Sequence, residues 1–336
     1  MILKDRIVAF VELGNLFLKI KKNTSYKNFL KRAELNNSWF TKSSIIHAFE
    51  ALGNMLQYDK LNNWISNYYI DDQARKIGVV VPSNIPLVGF YDFLCVLISG
   101  NIFLGKLSKS NNVLLPFVAK LLCDINPEFH KKIFFPDSLS KLDFLIATGS
   151  DNTSHYFEYL FRDTKKIIRK NRNSVAVLDG CETTDDLIRL SDDIFMYFGL
   201  GCRNVSKIFI PKSFDLLELN FFFRKYLKNK LNINYSNNYD YQKTMCDMNS
   251  LNYLDFDNLL LIQSEKLAAP IAVLYYEKYN NISNVKNFID RHELQIQCVV
   301  SNITVLDDVI RFGTTQRPSL FDFPDGVDIM KFLTNI

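Results

Sequence analysis

Metal-binding and redox signatures are missing from this chain. Four histidines, His47, His130, His155 and His292, lie far apart, and the six cysteines include no Cys-x-x-Cys pair. No spacing resembles a zinc site, so no metal is expected. Long apolar runs are missing as well. The most apolar window, residues 85–104, is interrupted by Asp92 and Asn101, whereas a spanning helix needs about 20 apolar residues with few charges. That window reads as a buried helix followed by a buried strand, and no membrane span is expected. The N-terminal run carries charges and no small-residue cleavage site, which argues against a secretory leader. Reduced thiols and a cytoplasmic location follow as expectations. Nor is there an excess of one charge: 40 basic residues face 36 acidic ones, for a net charge of +4. A nucleic-acid binder needs a concentrated basic surface, so no nucleic-acid partner is expected. Finally, the twelve glycines form no Gly-x-Gly-x-x-Gly. Gly199 and Gly201 begin one, but the third glycine and a preceding strand are missing.

What remains is the composition of a folded globular chain, 48% apolar and 23% charged, long enough for about two domains. The first 75 or so residues are helical in pattern. Short apolar runs bounded by turn residues then recur at 77–81, 101–105, 144–147, 174–178, 207–210, 259–262, 271–275 and 296–300. Such runs read as buried strands. Segments of helical pattern at 87–99, 113–123, 185–198 and 214–227 separate several of them, and this alternation predicts βαβ units with mostly parallel sheets. The basic stretch 165–172 reads as a strand with a solvated end. Residues 229–256, dominated by Asn, Tyr, Asp and Ser, read as an irregular excursion or a pair of edge elements.

Four places carry candidate chemistry. Val81-Pro82-Ser83-Asn84-Ile85-Pro86 follows the first strand, where α/β proteins bind ligands, and Asn84 offers an amide donor. Ala147-Thr148-Gly149-Ser150 ends another strand before a helix, where Ser150 and the following amides suit a phosphate. Gly199-Leu200-Gly201-Cys202-Arg203-Asn204 sets a cysteine just after two glycines that let backbone approach closely. Cys95, Cys123 and Cys298 lie in apolar surroundings and read as small core residues, so Cys202 is the stronger nucleophile candidate. The C-terminal stretch 313–332 is turn-rich yet aromatic and reads as a packed irregular segment.

In order and spacing these pieces resemble the aldehyde dehydrogenase superfamily. Within it they resemble the acyl-CoA reductase family, which includes the reductase subunit of the bacterial bioluminescence fatty-acid reductase complex. The resemblance runs from about Gly78 to Lys331 and is thin over 229–256. It implies an α/β fold, aldehyde-dehydrogenase-like, with a Rossmann-variant cofactor domain plus an α/β catalytic domain. The expected domains are residues 1–178 for the cofactor, with the helical N-terminal region, and 179–312 for catalysis, with 313–336 packing back on the body. By resemblance, Asn84 of Pro82-Ser83-Asn84-Ile85-Pro86 helps hold an oxyanion and Cys202 is the nucleophile. Lys106 contacts the adenosine ribose, Gly149-Ser150 lie near the cofactor pyrophosphate, and Glu265 stands one position away from the residue that grips the nicotinamide ribose.

The departures from the pattern bear on the reaction. Oxidising members carry a Glu-Leu-Gly-Gly segment whose Glu activates water; here that region is Ile168-Arg169-Lys170-Asn171, and no carboxylate lies between Asp163 and Asp179. Without a base for hydrolysis, a cysteine-bound acyl group is expected to take a hydride and leave as aldehyde. Lys109 stands where NAD users often carry an acid, and a lysine there would attract a 2′-phosphate. NADPH is therefore the expected cofactor, with NADH as the alternative. The acyl donor would be acyl-CoA or an acyl-carrier thioester, with an acyl-activating partner protein a further expectation by resemblance. Two other readings remain: an aldehyde dehydrogenase oxidising to acid, and a non-catalytic subunit organising an acyl-transfer complex. Chain length of the acyl group and oligomeric state are open at this level.

Overall fold

The computed structural model describes residues 1–71, 73–149 and 151–334, with the backbone alone for 151–154. The chain divides into two compact units, residues 1–171 with 318–336, and residues 172–317.

The first unit opens with helices α1 (Leu3–Lys19), α2 (Lys27–Asn36), α3 (Lys42–Met55) and α4 (Tyr58–Ile65). Their apolar residues recur at helical spacing, as in the buried Phe10, Leu13 and Phe17 of α1. Helices α1 and α3 cross where Gly14 meets Gly53. A Cβ on Gly53 would lie 2.9 Å from the Gly14 carbonyl oxygen, so only glycine allows this approach. Then come β1 (Lys76–Val80), α5 (Phe90–Ile98), β2 (Ile102–Lys106), α6 (Leu114–Ile125), β3 (Ile133–Phe134), β4 (Phe144–Thr148), α7 (Asp151–Leu160) and β5 (Lys165–Arg169). Among the described residues the strands form one sheet, ordered β3-β2-β1-β4-β5, with every pairing parallel. Parallel strands need helical crossovers that cover both faces. All nine residues of α5 are accordingly buried, and Phe90 meets Phe17 of α1 at 5.7 Å between ring centroids. The chain lays β2 and β3 on one side of β1 and β4 and β5 on the other, so the topological switch point lies at the carboxyl ends of β1 and β4.

The second unit holds β6 (Asn173–Val177), α8 (Thr184–Phe195), β7 (Val205–Pro211), α9 (Glu218–Phe223), α10 (Ile233–Met248), β8 (Tyr253–Asp255), β9 (Leu260–Gln263), β10 (Val273–Tyr279), α11 (Ile282–Arg291), β11 (Ile296–Val300) and β12 (Val309–Ile310). Its sheet runs β12-β11-β6-β7-β10-β9-β8, parallel except for the antiparallel pair β8–β9. Alternate residues feed two cores. Ala176, Leu178, Ile208 and Ile210 face the side covered by α8 and α9, while Val175, Val177 and Phe209 face the side covered by α11.

The structure differs from the sequence reading in three places. Residues 233–248 form a helix rather than an irregular excursion. The Asn232 side chain caps it, accepting from the N–H groups of Asn234 and Tyr235, and Tyr235, Tyr239 and Cys246 give it a buried face. Tyrosines supply that face, so ordinary apolar periodicity is faint. The basic strand 165–169 is present, with Lys165 exposed at its start and Lys170 exposed beyond it, but its last residue, Arg169, is buried. The second unit begins at Arg172 and residues 318–336 join the first, because β6 pairs with β7 and β11.

If Asn232 caps α10, Asn232→Ala should lower the unfolding free energy by about 1 kcal/mol, read by chemical denaturation. An unchanged midpoint would contradict a capped helix at 233–248.

Candidate active site

In the first unit, candidate residues from three segments emerge at one edge of the sheet. Val81 N–H donates to the Lys106 carbonyl at 3.0 Å, which places the Pro82–Pro86 turn beside the end of β2. Two side-chain amides hold the turn: Asn111 Nδ2 donates to the Pro82 carbonyl at 2.6 Å and Asn37 Nδ2 to the Ser83 carbonyl at 3.0 Å. Asn84 lies at the exposed crest. Lys106 is the last residue of β2, and its ammonium donates to the Asp137 carbonyl. Lys109 is exposed in a short turn whose Lys109 carbonyl accepts from Asn36 Nδ2 at 3.2 Å. Gly149 follows β4 directly, and its N–H donates to the Arg169 carbonyl at 3.2 Å. Ser150 lies outside the described residues. This edge offers two ammonium groups and a glycine turn leading into α7, a donor set that fits a phosphate-bearing dinucleotide.

In the second unit, Cys202 sits in the loop between α8 and β7. The loop is held by one buried side chain. Asn204 Oδ1 accepts from the Gly201 N–H at 2.9 Å, and its Nδ2 reaches the carbonyls of Asp193, Ile194 and Met196 at 3.0, 3.3 and 2.9 Å. These carbonyls close α8, so Asn204 caps the helix and ties the cysteine loop to it. Tyr197, Phe198 and Gly199 are left-handed, with φ of 52°, 60° and 76°. For Tyr and Phe this costs about 1–2 kcal/mol each, and both side chains are buried. Phe198 packs on Tyr235 of α10 at 5.8 Å, so α10 supports the cysteine loop.

Further contacts fix the loop's other side. Ser174 Oγ donates to the Cys202 carbonyl at 2.9 Å, and Arg203 Nε donates to the Thr315 carbonyl at 2.6 Å. Asp193 accepts from Gly313 N–H, Thr315 N–H and Thr315 Oγ at 2.6, 3.1 and 2.8 Å. Burial pushes its carboxyl up to about 6 against those donors. Of the six thiols, only Cys202, half-buried, and Cys181, exposed, are accessible.

Glu265 is exposed, just past β9. Its segment is joined to the cysteine loop by a relay of serines. Ser206 Oγ donates to the Leu267 carbonyl at 2.9 Å and to the Ser174 carbonyl at 3.4 Å. Lys207, fully buried on β7, donates to the Ser264 carbonyl at 2.9 Å and pairs with Glu277 at 2.7 Å. Its ammonium lies over the rings of both Phe209 and Phe288, 5.0 and 4.6 Å from their centroids. Burial holds its pKa below the usual lysine range, opposed by Glu277 and Glu265. Sequence reasoning missed Lys207, Asp193 and Asn204; Asn204 stood beside the candidate thiol, but its partners lie elsewhere in the chain. The two units thus carry different candidate residues: Asn84, Lys106, Lys109 and Gly149 in the first, Cys202 and Glu265 in the second.

Among the described residues no cluster of three or more His, Cys, Asp or Glu side chains suits a metal ion, and no helix is long and apolar enough to cross a membrane. The many phenylalanines are largely core, with Phe10, Phe17, Phe49, Phe90, Phe93, Phe103 and Phe129 fully buried. A cavity of about 30 Å³ lies beside the cysteine loop, lined in part by Phe198, Gly199, Val205 and Tyr235. It has room for about one water molecule.

The fold is that of the aldehyde dehydrogenases. It is similar to P. syringae indole-3-acetaldehyde dehydrogenase, solved with NAD+ and IAA, at TM-score 0.67 and 10% identity, covering 92% of this chain and 74% of that one. It is similar to an NAD-dependent benzaldehyde dehydrogenase from Corynebacterium glutamicum, at TM-score 0.65 and 11% identity, covering 90% and 76%. A glyceraldehyde-3-phosphate dehydrogenase from Methanocaldococcus jannaschii, complexed with NADP, matches at TM-score 0.64 and 11% identity, covering 91% and 77%. No curated protein matches the sequence. Residues 15–261 match the acyl-CoA reductase (LuxC) family, and the chain belongs to that family. Its activity is of the acyl-reductase type.

Asn204→Ala would leave the Gly201 N–H and the closing carbonyls of α8 without their side-chain partner. It is expected to cost about 3 kcal/mol of stability and to change the alkylation rate of Cys202. Native stability together with a native Cys202 rate would contradict the clamp.

Proposed function

We propose that the chain reduces an acyl thioester to an aldehyde, with Cys202 as nucleophile and NADPH as hydride donor. The observation that carries the reading is the accessible Cys202 thiol in a loop fixed by Asn204, Ser174 and Arg203. A nucleophile must be both reachable and held in place.

The thiolate of Cys202 adds to the acyl carbon of acyl-CoA or a carrier thioester. The bond to the donor sulfur breaks, and the donor leaves as a thiol after taking a proton. One thioester replaces another, so the exchange is nearly balanced. A nicotinamide held by this chain would supply the hydride that the Cys202-bound acyl carbon accepts. The C–S bond to Cys202 then breaks, releasing aldehyde and restoring the thiolate. In both halves negative charge gathers on the acyl oxygen, and the reading assigns its stabilisation to the Asn84 amide and the Cys202 backbone N–H. One such donor is worth roughly 100-fold or more in rate. Lys106, Gly149 and Ser150 would bind the dinucleotide, and Glu265 its nicotinamide ribose. NADPH is preferred because the exposed cation Lys109 suits a 2′-phosphate.

Oxidation to acid is disfavoured by the residue at the place of the hydrolytic base. By the resemblance Ile168 stands there, with Arg169 next to it, and neither an alkyl side chain nor a guanidinium can deprotonate water. An acyl-activating partner and assembly into oligomers are compatible with this chemistry.

Incubation with a long-chain acyl-CoA and NADPH should give aldehyde and free CoA, read by gas chromatography and thiol assay. Cys202→Ala should abolish aldehyde, while Cys181→Ala should retain it. Fatty acid as the main product, or activity that follows Cys181, would overturn the reading. Lys109→Glu should raise the KM for NADPH by about tenfold and leave that for NADH nearly unchanged. Equal effects on both would remove the case for NADPH.

A further inference from the structure

Arg169 closes β5 and is 5% exposed. Its guanidinium keeps its charge at any working pH, so its burial demands paired partners. It finds them on three separate segments. Nη2 donates to Asp92 Oδ2, on the first turn of α5, the helix that follows the Pro82–Pro86 turn. Nε donates to Thr148 Oγ at 3.1 Å, at the end of β4 beside Gly149. The same nitrogen lies 3.5 Å from Asp325 Oδ2, in the C-terminal segment, where Asp325 is left-handed with φ of 57°. The Arg169 backbone carbonyl also accepts the Gly149 N–H. Asp92 Oδ1 is buried without a hydrogen-bond partner among the described residues, so the charge of Asp92 is balanced through Arg169. Two tyrosines dock the same C-terminal segment: Tyr91 Oη donates to the Leu320 carbonyl at 2.9 Å and Tyr68 Oη to Asp328 Oδ2 at 3.0 Å.

We infer that Arg169 is a positioning residue for the cofactor, and that residues 318–328 take part through Asp325. The inference rests on the functional reading above, which gives the Gly149 turn to the dinucleotide. An ion pair that served only stability could lie anywhere in the core. This one lies at the carboxyl edge and binds directly to the residue before Gly149 and to the helix after Asn84. Displacing a binding turn by about 1 Å is enough to cost large factors in rate or affinity.

The test is NADPH titration by fluorescence on the full chain, with thermal melting and the alkylation rate of Cys202 as controls of integrity. Asp325→Asn removes one charge at the less buried partner, and Arg169→Lys keeps the charge but loses the planar fork. Both should weaken NADPH binding about five- to tenfold, with KM for NADPH rising more than kcat falls and Cys202 alkylating at the native rate. Arg169→Met is expected to bind more weakly still; if it fails to fold, Asp325→Asn carries the test. Lower melting temperatures with unchanged NADPH affinity in both Asp325→Asn and Arg169→Lys would make the network purely structural and overturn the inference. If the native chain binds neither NADPH nor NADH, the functional reading fails first, and the positioning role falls with it.

Discussion

Parallel strand pairing is the constraint on which the rest of this structure depends. It forbids tight hairpins and forces each strand to return through a crossover. It therefore sends every strand's carboxyl end to the same edge. In the first unit this brings the turn after β1, Lys106 at the end of β2, Gly149 after β4 and Arg169 at the end of β5 to one edge. Four segments far apart in sequence become neighbours without any of them being special on its own. The absence of a glycine fingerprint is no obstacle, because the edge offers cations and one glycine turn instead.

The second unit solves a different problem with a similar sheet. Its thiol lies ahead of β7, at the amino end of the strand, where no sheet edge fixes a loop. Side chains do that work. Asn204 caps α8 and holds Gly201, Ser174 holds the Cys202 carbonyl, and Asp193 organises the Gly313–Thr315 turn that Arg203 also reaches. The left-handed run Tyr197–Gly199 is tolerated because buried aromatic packing, including Tyr235 of α10, over-determines it.

Much of the fold was legible because buried parallel strands are short β-branched runs and their crossovers are amphipathic. The principal strands were visible as such runs, from 77–81 to 296–300, except β5, which showed as a basic stretch. The two-residue strands β3 and β12 and the three-residue β8 are too short to show a period. Helix α10 was hidden because its buried face is made of tyrosines, which carry both an apolar ring and a hydroxyl. Cys202 and Asn84 were singled out as candidates by the glycines and prolines near them together with a family pattern. Arg169 was not. A basic residue at a strand end reads as solvated, and its partners Asp92 and Asp325 are distant in sequence. The one hint was an aspartate inside the most apolar window of the chain. Lys207 escaped for the same reason, since its partner Glu277 sits on another strand.

The chemistry assigned to this chain requires that the acyl group pass through Cys202 before any hydride moves. Peptide-level mass spectrometry after exposure to long-chain acyl-CoA, with no nicotinamide present, tests that step directly. The account predicts one acyl group in thioester linkage on Cys202, absent from Cys181, and lost when NADPH is added. An unmodified Cys202 in a chain that nonetheless makes aldehyde, or an adduct that NADPH leaves in place, would contradict it.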